Sequence, residues 1–383
     1  MHTIRRGLQA RAREANPLPC GDKTLPLVAE GTGDYRAEPR LMQRINLFHY
    51  SKPPLITQRG YRIFYAASRC EFSRRFIATA ASRGFTYSLG MYPVISWSTP
   101  DTAREYFHRD GFVVMKPAFT TEQCGWFRKR LDRLFTGAFP TGVYPDEWYW
   151  REGISLPDAT RHMANAWKSD PAIASLVQAE WIGHWVDHLQ AWDGSRLGQD
   201  TIWIKPPLAR ASALHQDNSF IDYLVPATLT TCWMTFDDTY ADAATIEYVP
   251  GSHTWPTVPL PLDFHAPGDD HRARMRASAK AAGVADPGVV ALEVPAGSVV
   301  FHDGNVWHGA GAGRRAGTWR NSLAAHVLPA ATRFSDAPGG YIYRRYQLPG
   351  DDVLHDGFFP PYPAHSGLPT VPLIAVCEAA DSR

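Results

Sequence analysis

The sequence predicts an α+β chain with a mainly β core, a sandwich or jelly roll flanked by N-terminal helices. Three observations carry this. Apart from one helix within an insertion, helical signals fall in residues 98–185, the hydrophobic period changes from 3.6 to 2 after Trp185, and the short strand-like runs that follow are separated by turn residues such as Pro250-Gly251-Ser252 and Pro295-Ala296-Gly297.

Residues 1–90 hold 15 Lys+Arg against 6 Asp+Glu, whereas the remainder holds 24 against 32. The segment mixes Pro, Gly and Arg without a lasting period, so residues 1–95 read as a poorly ordered, Arg-rich extension, and Met91 is the expected start of the native protein. From Ser98 the signals become regular. Thr99-Pro100-Asp101 supplies a cap, a first-turn proline and an acid at the positive end of a helix running to about Arg109. Asp110-Gly111 turns the chain into a strand from Phe112 to Lys116. Thr120 and Gln123 have capping-box spacing ahead of a second helix carrying Cys124, Phe127, Leu131, Leu134 and Phe135. A third helix is expected from Ser169-Asp170-Pro171 through Trp185.

Strands are expected at Thr201–Lys205, Thr228–Phe236, Thr245–Val249, Val289–Val294, Ser298–His302, Val306–His308 and Trp319–Leu328. Residues 256–287 lose this period and gain charge. They read as an insertion, with a helix over His271–Ala282. The Pro- and aromatic-rich tail after Pro329, residues 331–383, is expected to pack on the core.

With 44% hydrophobic residues the chain can build a core, and a net charge of +1 without a sustained cationic block argues against a nucleic-acid surface. No apolar run reaches the roughly 20 residues of a membrane helix. The five cysteines include no C-x-x-C pair, which points away from a disulfide framework and towards the cytoplasm.

Chemistry concentrates at Leu214-His215-Gln216-Asp217-Asn218. On an extended strand, His215 and Asp217 share a face and can grip one metal ion. Phe301-His302-Asp303-Gly304-Asn305-Val306-Trp307-His308, read as strand, turn and strand, supplies a third donor in His308. Two histidines and one carboxylate on one side of the ion leave the other positions open, which suits Fe(II) that must bind a co-substrate and then O₂. A second H-x-D, His108-Arg109-Asp110, lies at a helix end, where Asp110-Gly111 is better explained as a turn. His184 and His188 are four apart on a helix but have no second donor pair, so packing explains them better than zinc. His253 is expected to serve a turn, and Trp203, Trp233 and Trp307 either pack in the core or line the site.

In Trp319–His326, alternation places Arg320, Ser322, Ala324 and His326 on one face. An inward guanidinium needs an anion, either a ligand carboxylate or, alternatively, an internal acid such as Glu247.

The ordered set Asp110-Gly111-Phe112-Val113-Val114, Ile204-Lys205-Pro206-Pro207, Leu214-His215-Gln216-Asp217, Val249-Pro250-Gly251-Ser252-His253 and Trp307-His308-Gly309 followed by Arg320 resembles the phytanoyl-CoA hydroxylase-like (PhyH) family of Fe(II)/2-oxoglutarate dioxygenases. The likeness spans residues 100–330. It implies a double-stranded β-helix (cupin-like jelly roll) with the dioxygenase domain at 96–330, and iron on His215, Asp217 and His308. It also implies the far carboxylate of 2-oxoglutarate on Arg320, with Lys205 facing the co-substrate, and alternation sets Ser322 on the Arg320 face as a further candidate co-substrate contact. The sequence departs from the family pattern at Ala310 and Gly313, where serine and asparagine are frequent, and Arg320 falls one residue late. A carboxylate at Asp217, where halogenating relatives carry a small residue, implies hydroxylation or a related oxidation, and the many Trp and Tyr residues point to an apolar or aromatic small molecule as substrate. Desaturation, epimerisation and cyclisation are the alternatives within the family, and a jelly-roll protein acting only as a binding or regulatory module is the alternative outside it.

Overall fold

A computed structural model describes residues 92–259, 264, 267–337, 340, 342–364 and 367. The expectations for residues 1–90 and for Met91 lie outside the described residues. All the described residues belong to the compact unit formed by residues 83–383.

In chain order the elements are β1 (Val94–Ile95), α1 (Pro100–Asp110), β2 (Phe112–Met115), α2 (Thr121–Phe135), β3 (Glu147–Trp148), β4 (Arg161–Ala164), α3 (Pro171–Val177), α4 (Glu180–Gln190), β5 (Ser195–Lys205), β6 (Ser212–His215), β7 (Leu224–Val225), β8 (Thr230–Thr235), β9 (Ile246–Tyr248), α5 (Ala273–Ala281), β10 (Val290–Ala291), β11 (Val299–Asp303), β12 (His308–Ala310), β13 (Arg320–Pro329) and β14 (Arg333–Phe334). The core is therefore β-rich with N-terminal helices at its flank.

Local chemistry explains the helix boundaries. The Thr120 hydroxyl accepts from the Gln123 N–H, and the Gln123 side chain accepts from the Thr120 N–H, closing the expected box. Asp170 caps α3 by accepting from the N–H groups of Ala172 and Ile173. The single helix expected through Trp185 is instead two, because Ala179 is extended (φ −62°, ψ 130°) and restarts the chain as α4. Gly111, at φ +83°, ends α1 in the left-handed region.

The strands form two main sheets. Eight run in the order β1-β2-β11-β8-β13-β5-β4-β3 and four in the order β10-β9-β12-β6. Strand alternation divides the core. Val113, Met115, Cys232, Met234, Phe301, Ile202, Ile204, Leu323 and Ala325 point from the eight-stranded sheet into the helical layer, packing with Phe107, Phe127, Leu131, Trp181 and Trp185. Their neighbours Phe112, Val114, Trp233, Val300 and Ala324 point the other way and meet Ile246 and Tyr248 of the four-stranded sheet. The register carries that second face on as a row of polar side chains, because Arg320 pairs with Lys205, Ala324 with Thr201 and His326 with both Gln199 and Thr231. The site lies here, between the sheets. Past β13, Phe334, Tyr343, Leu354 and Phe359 pack with Ile221, Tyr223, Leu224 and Leu328.

Candidate metal centre and substrate cavity

His215 and His308 meet because they are cross-strand partners in the antiparallel pair β6·β12. Their ring centroids are 4.2 Å apart. β6 ends at His215 and β12 begins at His308, so the metal-site histidines stand at strand ends and not within longer strands. Gln216 keeps the chain extended (φ −118°, ψ 126°) before a 3₁₀ turn over Asp217–Phe220, so Asp217 still lands on the same face as His215.

Two polar neighbours clamp these segments together. The Gln216 amide donates to the Asn305 carbonyl at 2.9 Å and accepts from the Val258 N–H at 3.0 Å. Asn218 donates to Asn305 Oδ1 at 3.1 Å and accepts from the Leu229 N–H at 3.0 Å. This is why the turn carries Gly304: a Cβ there would stand 2.1 Å from Asn218 Oδ1.

The donor atoms suit a cation. One atom from each of His215, Asp217 and His308 lies within 4.8 Å of the others, and all three residues are buried. Nδ1 of His215 faces the Ala213 carbonyl at 3.2 Å, and Nδ1 of His308 faces the Val306 carbonyl at 3.1 Å. Each Nδ1 therefore carries the proton, and each Nε2 presents a lone pair. Those Nε2 atoms stand 3.3 and 3.5 Å from Asp217 Oδ1. Adjacent ligands on an octahedral ion with bonds of about 2.1 Å are about 3 Å apart, so the set could close on a metal with little movement. Burial, then the neighbouring His215, push His308 well below the ordinary imidazole value, which keeps its lone pair free. Burial alone would raise the Asp217 carboxyl. The imidazoles of His308, His215, His302 and His326 gathered around it outweigh burial and hold Asp217 well below the usual carboxylate range.

Asp217 Oδ2 points away from the two metal-side imidazoles. It accepts from the Thr231 hydroxyl at 2.7 Å and from His302 Nε2 at 3.1 Å, with His326 Nδ1 at 3.5 Å. The Tyr248 hydroxyl and His302 Nδ1 are 2.8 Å apart. Sequence reading placed His326 on the inward face but gave no role to Thr231, His302 or Tyr248. The signal available was alternation: His302 shares its face with Val300, and Thr231 shares its face with Trp233.

The cavity beside these groups has a volume of about 130 Å³. At one end Arg320 and Lys205 lie side by side, both buried. The Arg320 guanidinium donates from Nη1 to the Ala244 carbonyl at 2.7 Å, while its buried Nε has no partner. Burial pushes Arg320 down to about 10. Lys205 donates to the Arg210 carbonyl and the Ser212 hydroxyl, and burial, then Arg320, bring it well below the ordinary lysine value. Among the described residues no carboxylate forms an ion pair with either cation. Glu247, the alternative partner, spends its oxygens on Arg272 at 2.7 and 3.0 Å and on His271 at 3.1 Å.

The buried Ser322 hydroxyl donates to the Trp203 carbonyl at 3.2 Å, and the side chain is not among those lining the cavity. Trp203 and Trp233 line the cavity, whereas Trp307 packs with Leu214, Val249 and Trp255. His108-Arg109-Asp110 ends α1, with Asp110 bound by Arg109 and by the Tyr92 hydroxyl. His188 reaches the Pro100 carbonyl, and among the described residues only His215, Asp217 and His308 form a metal-competent group.

The sequence model of the family described as phytanoyl-CoA dioxygenase (PhyH) matches residues 107–322. No curated protein sequence matches the chain. Among solved structures, the epimerase SnoN, in complex with Fe3+, alpha ketoglutarate and nogalamycin RO, superposes with a TM-score of 0.52 at 19% identity, covering 69% of this chain and 98% of its own. The carbocyclase SnoK from nogalamycin biosynthesis gives 0.52 at 21%, covering 68% and 96%. EctD from S. alaskensis with 2-oxoglutarate and 5-hydroxyectoine gives 0.51 at 18%, covering 66% and 87%. At these identities the likeness is one of fold.

Proposed function

The chain belongs to the phytanoyl-CoA dioxygenase family and is an Fe(II)/2-oxoglutarate-dependent enzyme, and from that premise we propose that it hydroxylates an apolar or aromatic small molecule between the sheets of a double-stranded β-helix. In this reading His215 Nε2, His308 Nε2 and Asp217 Oδ1 hold Fe(II). The observation that carries it is the pairing of two imidazole lone pairs and one carboxylate oxygen with a buried, acid-free pair of cations in the same cavity.

Fe(II), 2-oxoglutarate and O₂ together supply an oxidant for a C–H bond, with 2-oxoglutarate leaving as succinate and CO₂. The chain's own residues do the rest. Arg320 offers the far carboxylate its unpaired guanidinium edge, and Lys205 adds a second positive charge beside it. Asp217 would hold the metal through Oδ1, leaving Oδ2 to Thr231 and His302. The methyl group of Ala310, where serine is frequent in the family, leaves that wall of the cavity apolar. Trp203, Phe220, Ile221 and Phe264 form an aromatic and aliphatic wall that excludes water and suits a ring or chain. Epimerisation and cyclisation, the activities named for SnoN and SnoK, are the second reading of the same site. The reading places the enzyme in the cytosol, supported by the free, buried thiols of Cys124 and Cys232. No helix among the described residues is long and apolar enough to cross a membrane.

The experiment is anaerobic addition of Fe(II) and 2-oxoglutarate, followed by visible absorption and then by conversion to succinate on admitting air. The wild type should develop the charge-transfer band of the chelate, and Asp217→Ala should lose both the band and turnover. An undiminished band in Asp217→Ala would remove that ligand from the assignment.

A further inference from the structure

The hydrogen bonds that hold Asp217 continue past it to the cavity surface, and their direction is fixed. Thr231 must donate to Asp217 Oδ2, because an ionised carboxylate only accepts. With its proton committed, the Thr231 oxygen faces His326 Nδ1, 2.9 Å away, as an acceptor. An imidazole that donates from Nδ1 alone accepts at Nε2, and among the described residues its partner there is the Thr201 hydroxyl at 3.0 Å. Thr201 therefore spends its proton on His326. What remains is a pair of oxygen lone pairs on a buried side chain that lines the cavity.

We propose that Thr201 is a specificity-determining residue that accepts a hydrogen bond from a hydroxyl or N–H group of the substrate, its acceptor polarity dictated by Asp217 through Thr231 and His326. The inference rests on the functional reading above and narrows its substrate class to an alcohol, phenol or amine-type donor on an apolar or aromatic frame. Gln199, the next inward residue of β5, also lines the cavity, but an amide can turn either edge to a ligand and selects neither polarity. Thr201 cannot turn. A substrate with an ether or carbonyl oxygen at this point would face lone pair against lone pair, and an apolar one would leave the threonine oxygen buried without water.

The test uses 2-naphthol and 2-methoxynaphthalene as probes, with binding followed by quenching of the intrinsic tryptophan fluorescence, Trp203 and Trp233 being in the cavity wall. Wild-type protein should bind 2-naphthol about fivefold more tightly, the equivalent of one net hydrogen bond of about 1 kcal/mol. Thr201→Ser should keep the preference and Thr201→Val should erase it. His326→Leu frees the Thr201 proton, so 2-methoxynaphthalene should bind at least threefold more tightly there than to wild type. A change that merely loosened the fold would not produce that gain. Equal affinity in wild type, saturation by neither probe, or a preference that survives Thr201→Val overturns the inference. The probes can be titrated with and without Fe(II) and 2-oxoglutarate. Loss of the charge-transfer band therefore reports failure of the cofactor reading, and loss of probe discrimination with the band intact reports failure of this one alone.

Discussion

Arg320 recovers little of its burial cost within the protein. Its guanidinium is buried beside a buried lysine, makes one hydrogen bond to a carbonyl, and leaves Nε with no partner. Such an arrangement destabilises the empty protein and favours any dianion whose carboxylate can meet the fork. Arg320→Leu should thus raise the KM for 2-oxoglutarate about 100-fold, in line with charge-assisted bonds worth about 1.5–3 kcal/mol, while Arg320→Lys should recover part of the loss. Measured succinate formation against 2-oxoglutarate concentration decides it. An unchanged KM in Arg320→Leu would mean that the diacid is held elsewhere. Asp217 works differently, since its two oxygens have separate environments and only Oδ1 is turned towards His215 and His308.

At the scale of elements, the turn between β11 and β12 sets the distance between the two ligand segments. Gly304→Ala would drive a methyl group into Asn218 Oδ1 and the Leu229 carbonyl oxygen, so the Asn218 amide must leave its hydrogen bonds and the adjoining backbone must shift. A destabilisation of about 1–3 kcal/mol in urea unfolding, with weakened Fe(II) binding, is the expected outcome. Wild-type behaviour would show that the clamp yields freely. A second junction ties β5 to the 3₁₀ turn over Ala166–Lys168, where Asp200 accepts from the Ala166 and Trp167 N–H groups at 3.1 and 2.9 Å. Burial, only partly offset by those bonds, pushes this carboxyl up to about 7 from 3.8. The native state therefore holds a proton that the unfolded chain has already released between those values, so this group's contribution is full below the lower value and is lost as pH rises towards 7. Its size is at most on the order of 4 kcal/mol. Asp200→Asn should flatten the fall in thermal midpoint between pH 4 and 7, and an unaltered pH slope would contradict the assignment.

Much at this scale was legible before any coordinates. The capping box at Thr120, the first-turn prolines and the strand alternation each depend on neighbours a few residues away, and the strands at 230–235, 299–303 and 320–329 are found where β-branched and aromatic runs lie. His215, Asp217 and His308 could be picked out because a metal site repeats a short pattern. Alternation gives the face on which Ser322 stands but not the partner of its hydroxyl, which is the Trp203 carbonyl. Thr231, His302 and Tyr248 were silent because each reaches Asp217, or the histidine that does, across a sheet, through a register that only the assembled strands define.

For the whole molecule, the two faces of the eight-stranded sheet do opposite work. One buries the large cluster around Phe127, Trp181, Trp185 and Phe301, and this face stabilises the fold whatever the state of the site. The other brings His302 and His326 towards Asp217, opposite His215 and His308 of the four-stranded sheet, with two buried cations nearby, an arrangement that favours binding of a metal and a diacid. Ligands that bind only the native state must then raise its stability in proportion to their occupancy, by about 2.7 kcal/mol each at 100 times their Kd. Mn(II), which takes the same kind of donors, and 2-oxoglutarate should therefore raise the thermal midpoint in two separable steps of several degrees. Asp217→Ala should lose the metal step, while Arg320→Leu should keep the metal step and lose most of the 2-oxoglutarate step. Equal increments in wild type and both variants would show that the metal and the diacid bind away from this cavity.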